Sequence, residues 1–394
     1  MFETLKKAPL DKIFALLSEY RADDRENKLD LGIGVYKDST GNTPIMSAVL
    51  KAEEKIFVAQ TTKSYVGVSG NRGFCDAMSG LVFGDAIDQD RITSVQAPGG
   101  TGSLWVIMQL LNRARPGATV WVSNPSWPNH RPMLELAGLN PQFYPYFDPE
   151  TRSVKFVEML AALDKMGPDD IVLLHACCHN PSGANLTNEQ WDLVAKSLAR
   201  TGAFPLLDLA YLGLGEGLNE DVYGVRKIAQ TCPEMMLGFS ASKNFGLYRE
   251  RAGVAMAVAG KKADADIVFS QMANVIRGSF SQSPDHGAEI VRVIMADEQL
   301  REEWEGELEQ MRNRVLTLRT NLANSLRKAS NSDEFDFIQV HRGMFSLLGL
   351  PLEAIQKLKR EKGVYVLDDS RVNIAGIPEH DTDTLAKAIV EVSR

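Results

Sequence analysis

Residues 204–211 have the sequence Phe204-Pro205-Leu206-Leu207-Asp208-Leu209-Ala210-Tyr211, a short apolar run that ends in a carboxylate and a phenol. Comparable apolar runs recur between about residues 90 and 260, and longer stretches with helical periodicity lie between them. We predict strands at residues 119–123, 171–177, 204–207 and 236–239. Strands that alternate with helices are typical of a parallel sheet covered by helices on both faces. The sequence therefore predicts an α/β fold.

Helical periodicity predicts three helices in the same region, at residues 102–114, 187–199 and 221–230. The second begins beside Thr187 and Glu189, residue types that are common at helix N-termini. From about residue 293 to 329, leucines and charges recur at helical spacing, which predicts one long amphipathic helix. A strand at residues 371–375 and a last helix complete a C-terminal α+β region.

The domain boundaries are not marked by a linker. The sequence contains no internal repeat, low-complexity tract or long Pro/Gly/Ser segment. We therefore predict closely packed domains of which one is discontinuous. The large domain spans residues 44–300, and the smaller α+β domain combines residues 1–43, which include an N-terminal arm, with residues 301–394.

Composition excludes several classes of protein. The 394 residues carry 43 Lys and Arg against 51 Asp and Glu, a net charge of −8 that gives no general attraction for nucleic acid. We find no signal-peptide core near Met1 and no apolar run of about 18 residues, so we expect a cytoplasmic protein without a membrane partner. Four cysteines are too few for a disulfide framework, and we expect reduced thiols.

Polar residues follow the predicted strands. Because ligands of open α/β sheets bind beyond the carboxyl ends of the strands, we expect these residues to converge on one crevice. The segments are residues 124–130, 179–183, 208–211 and 240–246. The glycine-rich residues 97–102, which lie at the start of a helix, are expected at the same crevice.

The turn Gly99-Gly100-Thr101-Gly102 exposes backbone N–H groups at a helix N-terminus, where they favour a phosphate. Such a turn is equally often a tight connection. Neither of the two common nucleotide-binding glycine motifs occurs, which disfavours nucleotide cofactors. Lys243 follows an apolar strand, where a desolvated amine can form Schiff bases, although most lysines are simply solvated.

The stretch His175-Ala176-Cys177-Cys178-His179 has metal-ligating residue types, but we predict no metal site. Successive strand residues point to opposite faces of a sheet, and no second cluster of matching residues occurs. Core cysteines beside hydrogen-bonded histidines are the favoured interpretation.

These motifs together resemble a known family, the fold type I, pyridoxal 5′-phosphate-dependent aspartate and aromatic amino acid aminotransferases. The resemblance rests above all on Ser240-Ala241-Ser242-Lys243-Asn244-Phe245-Gly246-Leu247-Tyr248 and on Asp208-Leu209-Ala210-Tyr211. It extends from residues 21–38 to residues 370–376, with the motifs in the family's order. It implies a large domain with a mostly parallel, seven-stranded sheet between helices, and a smaller discontinuous α+β domain.

The resemblance implies a role for each matching residue. Lys243 would bind the cofactor covalently and act as general base and acid, Asp208 would keep the pyridine nitrogen protonated, and Tyr211 with Asn180 would bond the phenolic oxygen. Trp127 would stack on the cofactor ring beside the substrate, and His130 would support Asp208. The remaining implied ligands hold the phosphate and are Gly100, Thr101, Ser240, Ser242, Arg251 and, from a second subunit, Tyr65.

The implied substrates are amino acids and 2-oxo acids bound at the interface of a homodimer. Arg371 would pair with the α-carboxylate, assisted by Asn180 and the N–H of Gly34. The alternative for Arg371 is a surface ion pair. Arg277 would cross the dimer interface to hold the distal carboxylate of a dicarboxylic substrate.

The resemblance implies a transaminase that moves the amino group of aromatic amino acids (Tyr, Phe and Trp) and aspartate to 2-oxoglutarate by a ping-pong mechanism. The alternative is a strictly aspartate-selective enzyme. Ser64 and Gln282 stand at positions where such enzymes often have Asn. The amino-acid sequences of several segments are also more similar to those of bacterial aromatic aminotransferases. Two further alternatives are another reaction on the same cofactor and a regulatory ligand-binding domain.

Overall fold

The computed structural model describes residues 1–8 and 11–393. The strands, in chain order, are β1 (Leu29–Asp30), β2 (Ile92–Pro98), β3 (Thr119–Asn124), β4 (Asn140–Pro145), β5 (Phe147–Asp148), β6 (Ser153–Val154), β7 (Asp170–His175), β8 (Phe204–Leu209), β9 (Met235–Ser240), β10 (Ala252–Val258), β11 (Phe345–Leu347), β12 (Val364–Tyr365) and β13 (Arg371–Asn373).

The α-helices are α1 (Lys12–Ala22), α2 (Ser47–Ala59), α3 (Arg72–Phe83), α4 (Gly99–Ala114), α5 (His130–Leu136), α6 (Phe156–Leu163), α7 (Asn188–Thr201), α8 (Tyr223–Thr231), α9 (Lys262–Ser279), α10 (His286–Ala296), α11 (Glu298–Ser330), α12 (Phe337–Val340), α13 (Leu352–Lys362) and α14 (Thr382–Ser393). Short 3-10 turns lie at Phe2–Thr4, Gln89–Arg91, Ile374–Gly376 and Glu379–Asp381. Among the described helices, none has the length and hydrophobicity needed to span a membrane.

The chain divides into two compact units. The first comprises residues 1–43, 315–340 and 344–394, and the second comprises residues 44–314 and 341–343. The division falls inside α11, at residues 314–315, rather than at the predicted 300–301. Helical periodicity at residues 293–329 does not show at which residue the packing partners of the helix change, and this explains the difference.

The second unit contains a seven-stranded sheet in the order β2-β10-β9-β8-β7-β3-β4. The pairs from β9 to β4 are parallel, and only β10 runs antiparallel to both of its neighbours in this sheet. The predicted mostly parallel, seven-stranded sheet is therefore confirmed. Helix α4 packs its apolar face, including Leu104 and Ile107, into a core with Val95, Val122 and Leu206.

The four predicted strands correspond to β3, β7, β8 and β9, whereas β2, β4 and β10 of the same sheet were not predicted. Strand β4 is an edge strand whose residues are mostly exposed, and it begins and ends beside prolines at 141 and 145, so it has no apolar run. Strand β10 is buried throughout but consists largely of Ala and Gly, which have low strand propensity.

The helix predictions need two corrections. Helix α4 begins at Gly99 and not at residue 102. The prediction began too late because glycine has a low helix propensity, whereas the glycines at 99, 100 and 102 form the first turn of this helix. The long helix predicted for residues 293–329 is two helices. Asp297 is extended at the end of α10, and its side chain accepts a hydrogen bond from the N–H of Leu300, which starts α11. Helix α7 has the predicted N-terminus, a capping box between Thr187 and Gln190.

In the first unit, β1 pairs with β12 in parallel and β11 pairs with β13 in antiparallel orientation. The strand predicted at residues 371–375 ends at Asn373, where a 3-10 turn follows. The Asn373 side chain donates to the carbonyl oxygens of Ile33 and Val35, at 2.7 and 2.8 Å. These bonds fix the segment before residue 36 beside β13.

Candidate active site

The carboxyl ends of the parallel strands of the large sheet open onto a cavity. Strands β8 and β9 end there, and β10 begins there because it runs in the opposite direction. Residues that precede β10 therefore join residues that follow the other strands. The cavity is lined by Gly100, Thr101, Leu104, Trp127, His175, Asn180, Asp208, Ala210, Tyr211, Ser240, Ser242, Lys243 and Arg251.

A buried carboxylate, Asp208, lies on the floor of this cavity. His130 is fully buried and donates from Nε2 to Asp208 Oδ2 at 2.9 Å, and its Nδ1 lies 2.9 Å from Ser126 Oγ. Burial raises the pKa of the Asp208 carboxyl, but the hydrogen bond from His130 and the electrostatic effects of His130 and Lys243 outweigh it, and the pKa lies below its ordinary value. Asp208 is thus held as an anion, ready to pair with a cationic ring nitrogen.

His175 is a cavity residue for which the sequence favoured a hydrogen-bonded core histidine over a metal ligand. The hydrogen-bonding expectation is wrong for His175, because neither of its buried ring nitrogens has a hydrogen-bond partner among the described residues. Its ring lies 5.1 Å from that of His130 and 4.4 Å from that of His179. Burial and the nearby His130 lower the pKa of His175 to about 3, so its ring is neutral at physiological pH. Its position as the last residue of β7, level with Asp208 in the sheet, is the signal that could have identified it.

Two clusters of the described residues have metal-ligating atoms within 4.8 Å of one another: His130, His175 and Asp208, and the buried Cys177, Cys178 and Asp221. The carboxylates of both clusters already have other partners. Asp208 accepts from His130, and Asp221 accepts from the N–H groups of Gly213, Gly215 and Glu216 at 2.8–2.9 Å. These partners do not test whether either cluster binds a metal, and the absence of a metal site stays a prediction. The cysteines at 75, 177, 178 and 232 are buried and form no disulfide.

The N-terminus of α4 forms a cradle for an anion. A Cβ built on Gly100 would lie 3.0 Å from Ser240 Cβ, and one on Gly99, at φ +70°, would lie 2.3 Å from the Arg251 guanidinium. Only glycine leaves this space open. Arg251 Nη1 donates to Ser242 Oγ at 3.2 Å, and the Ser240 and Ser242 hydroxyls are 3.1 Å apart. A helix N-terminus, two hydroxyls and a guanidinium are together suited to a phosphate group.

Lys243 lies in the turn that follows β9. Its Nζ is 4.8 Å from the centre of the Tyr211 ring, and Asn180 Nδ2 donates to Tyr211 Oη at 3.3 Å. Trp127 lines the same cavity and packs edge-on against His130, with ring centres 5.1 Å apart. The structure therefore brings together ten predicted residues: Gly100, Thr101, Trp127, Asn180, Asp208, Tyr211, Ser240, Ser242, Lys243 and Arg251.

The first unit contains two other predicted residues, Arg371 and Gly34. Arg371 is buried at the start of β13, donates from Nη2 to the Gly32 carbonyl at 2.8 Å, and lies 4.2 Å above the Phe345 ring. A Cβ on Gly34 would lie 2.7 Å from Phe345 Cζ. The Phe345 ring thus fixes the place of both residues, a role that the sequence analysis did not foresee.

Tyr65 and Arg277 lie outside the cavity lining. Tyr65 is 89% exposed. Arg277 is exposed in the last turn of α9, where its Nη1 donates to Ser281 Oγ at 2.7 Å. Their predicted roles involve a second subunit, so a single chain does not test them.

A lysine beside a phosphate cradle and a buried carboxylate, at the carboxyl edge of an α/β sheet, is typical of enzymes that bind an aldehyde cofactor through a lysine. The comparisons with known proteins identify the family. Residues 26–389 match the family model for aminotransferase class I and II. The aromatic-amino-acid aminotransferase of Paracoccus denitrificans is 47% identical over 392 residues, and the aspartate aminotransferase of Escherichia coli (strain K12) is 42% identical over 395, each over 100% of both chains.

Solved structures agree. An aromatic amino acid aminotransferase with 3-indolebutyric acid superposes with a TM-score of 0.96 at 47% identity, over 100% of both chains. The aromatic-amino-acid aminotransferase of Burkholderia pseudomallei, covalently bound to pyridoxal phosphate, superposes with a TM-score of 0.97 at 37% identity, also over 100% of both chains. The chain belongs to the class I and II aminotransferase family, as the sequence motifs predicted, and it is an aminotransferase.

Proposed function

We propose that this aminotransferase transfers the amino group of aromatic amino acids and of aspartate to 2-oxoglutarate in two half-reactions at one site. The observation that carries the proposal is the convergence in one cavity of Lys243, the ionised Asp208 and the glycine-lined anion cradle. The similarity to aromatic-amino-acid and aspartate aminotransferases along the full chain supports both substrate classes.

The residues of the cavity fit pyridoxal 5′-phosphate. The space that a Cβ would fill at Gly99 and Gly100, beside Ser240 and Arg251, suits its phosphate. Asp208 suits its pyridine nitrogen, Tyr211 and Asn180 suit its phenolic oxygen, and Trp127 suits its ring face. When bound, the cofactor supplies an electron sink for the negative charge that develops at the substrate's α-carbon.

The protein supplies proton transfer and positioning. Lys243 Nζ would take the proton from the substrate's α-carbon as general base and would deliver it to the cofactor's C4′ atom as general acid. Asp208 would hold a proton at the cofactor's ring nitrogen, and His130 holds Asp208 in place through its 2.9 Å bond. The neutral ring of His175 adds no positive charge that would weaken this pairing.

We propose that Arg371 binds the α-carboxylate of the substrate, with the N–H of Gly34, and that Asn180 assists. The Phe345 ring supports both Arg371 and Gly34. We propose that Arg277 binds the distal carboxylate of aspartate or 2-oxoglutarate. Burying an unpaired guanidinium beside an aromatic side chain would cost several kcal/mol, so Arg277 has to move away for aromatic substrates. Its exposed position, with a serine hydroxyl as partner, is compatible with such movement.

We propose a homodimer in which Tyr65 and Arg277 complete the site of the partner subunit. Large apolar side chains in the same stretch of chain as Tyr65 are also exposed, namely Phe57, Val58 and Val66. Burial of such side chains against a second copy is favourable, and the proposed role of Tyr65 as a phosphate ligand explains its exposure in a single chain.

The test is rapid mixing of the purified protein, loaded with pyridoxal 5′-phosphate, with phenylalanine, tyrosine and aspartate in separate experiments. We expect the visible band of the bound cofactor to convert to the pyridoxamine form with each donor. Conversion by aspartate alone would establish the strictly aspartate-selective alternative. Release of ammonia, a free amine or pyruvate in place of this conversion would show a different reaction.

A substitution of Arg277 separates the two substrate classes. We expect Arg277→Leu to slow the aspartate half-reaction by about 100-fold or more, because it removes a charge-assisted pair, and to change the phenylalanine half-reaction far less. An equal loss for both donors would contradict the role assigned to Arg277.

A further inference from the structure

We infer that one face of helix α11 positions the pair of side chains, Lys243 and Tyr211, that face each other in the cavity. The inference rests on the proposed role of Lys243 in proton transfer. The face consists of Trp304, Leu308 and Arg312, which are spaced four residues apart and therefore lie one above the other along the helix. All of these residues belong to the second unit.

Trp304 holds the turn that carries Lys243. It is fully buried, and its Nε1 donates to the backbone carbonyl of Asn244 at 2.8 Å. Its ring is stacked on that of Phe245, with centres 4.3 Å apart and planes only 3° from parallel. Neither polar atom of the Asn244 side chain has a hydrogen-bond partner among the described residues. Asn244 and Phe245 therefore contact α11 through the Asn244 backbone carbonyl, which accepts from Trp304, and through the Phe245 ring, which stacks on Trp304.

The next two turns of the same face hold the segment that carries Tyr211. A Cβ built on Gly213 would lie 2.5 Å from Leu308 Cδ2, so the helix and this backbone are in close contact, and Gly213 itself has a φ of +85°. Arg312 Nη1 donates to the Gly213 carbonyl at 3.3 Å. The N–H of Leu214 donates to the Tyr211 carbonyl at 3.0 Å, which ties this turn to Tyr211.

The two turns follow different strands, β9 and β8, and each could move independently if it were fixed only to its own strand. Their attachment to one helix fixes the distance from Lys243 Nζ to the Tyr211 ring, which is 4.8 Å here. Side chains mounted on a rigid element hold a reactive geometry better than those on free loops. Trp304, Leu308 and Arg312 are thus positioning residues, and they act through Lys243 and Tyr211.

The test uses Trp304→Phe, which keeps a stacked ring and removes the indole N–H. In single-turnover experiments on the cofactor-loaded protein, we expect the half-reaction with saturating phenylalanine to slow by about tenfold, since small displacements of a reacting group have effects of this order.

Trp121→Phe is the matched control. It also removes an indole hydrogen bond of 2.8 Å, to Asp170 Oδ1, but at the opposite edge of the sheet. We expect it to leave the half-reaction within about twofold of the wild-type rate. If both variants slow the half-reaction equally, the slower rate of Trp304→Phe results from a general loss of stability, and the inference is wrong.

The discriminating measurement repeats the experiment in a Lys243→Ala background, with an added primary amine as the base. Because the amine does not depend on the Lys243 turn, Trp304→Phe should cause no further slowing there. A persistent tenfold loss would overturn the inference. If Lys243→Ala itself left the rate unchanged, the proposed role of Lys243 would fail instead, and the two failures are thus distinguishable.

Arg312→Met keeps the inference testable if Trp304→Phe does not fold. Arg312 is at the other end of the same face, and its loss removes the bond to the Gly213 carbonyl. We expect the half-reaction to slow by about threefold in the wild-type background and not at all in a Tyr211→Phe background, because Arg312 acts through the segment that carries Tyr211. A wild-type rate in Arg312→Met, or equal slowing in both backgrounds, would count against the inference.

Discussion

The two edges of the large sheet are built from the same strands and have opposite character. At the carboxyl edge, Asp208 is the next-to-last residue of β8 and Ser240 is the last residue of β9, and both are buried and hydrogen-bonded. At the amino edge, the same strands begin with Phe204 and Met235, which line a mostly apolar depression together with Leu110, Met236, Val258 and Ile267. Arg113, Glu234 and Gln271 also line it. Buried polar groups cost free energy unless they are paired, so their concentration at one edge indicates where the chemistry occurs.

The comparison separates activity from stability. Substitutions at the carboxyl edge should remove activity and leave the fold intact, because those side chains are arranged for a ligand. Substitutions at the amino edge should lower the free energy of unfolding and leave the chemistry intact, because those side chains only pack.

The largest effect is expected for Lys243→Ala at the carboxyl edge. Loss of the general base should slow the half-reaction with aspartate by about 10⁴-fold, measured as the rate of change of the cofactor's absorption. The thermal midpoint of unfolding, from circular dichroism, should stay within about 4 °C of the wild type. Substantial remaining transamination would remove Lys243 from its role.

A pair of identical substitutions, Asp208→Asn and Asp170→Asn, tests the comparison directly. Asp208 lies at the carboxyl edge, whereas Asp170 starts β7 at the amino edge and accepts from Trp121 and from the N–H of Gly167. We expect Asp208→Asn to lower kcat by about 10²- to 10³-fold, because an amide gives the ring nitrogen no charge partner, and Asp170→Asn to change it by less than about twofold. Similar losses in steady-state assays of both variants would break the distinction between the edges.

For Met236→Ala at the amino edge we expect lower stability with unchanged activity. Met236 is 3% exposed, and its truncation should lower the free energy of unfolding by about 2–5 kcal/mol through lost burial and a residual cavity. Chemical denaturation measures this loss, and the kcat of the folded fraction should be unchanged. A large fall in kcat without a loss of stability would show that this edge contributes to the chemistry.

A pH-dependent effect on stability is expected from acid titration of His175. The pKa of His175 is lowered from 6.5 to about 3 by burial and by His130, so the unfolded chain takes up its proton before the folded one does. The contribution of His175 to stability is therefore complete above about pH 6.5 and is lost as the pH falls toward 3. The free energy of unfolding of the wild type, relative to His175→Gln, should fall over this window in the apoprotein.

Met236→Ala serves as the control for this titration, because it changes no ionisable group. Its difference from the wild type should be independent of pH. The groups that face His175 are His130, His179 and Asp208, and all three are present in the wild type and in both variants. A wild-type curve parallel to that of His175→Gln would contradict the lowered pKa.

The sequence predicted the centre of the sheet and the cavity because both follow from local pattern. Strands β7, β8 and β9 are buried on both faces and have continuous apolar runs, and their polar ends point to a common edge. The exposed edge strand β4 and the Ala- and Gly-rich β10 lack such runs. Their places in the sheet depend on tertiary packing.

The functional residues that could not be predicted from the sequence acquire their roles through contacts between segments that are distant in the chain. In the sequence, Trp304 is one apolar position of an amphipathic helix, and only the fold shows its bond to the Asn244 carbonyl, 60 residues away. Phe345 likewise acquires its role from Arg371 and Gly34 in other segments. The proposed roles of Tyr65 and Arg277 require a second copy of the chain, which a single sequence does not display.

The reversed direction of β10 has a consequence for how the protein folds. Since β10 is antiparallel to β9, residues 241–251, which include Lys243, are the loop of a hairpin, and Ser240 pairs with Gly253 after a short loop closure. The other neighbour of β10 is β2, where Ala252 pairs with Pro98 far away in the sequence. Loop-closure entropy therefore favours the hairpin first. Pulse-labelled hydrogen exchange should show protection in β9 and β10 before β2, which means that the lysine turn forms while the glycine half of the anion cradle is still unfolded.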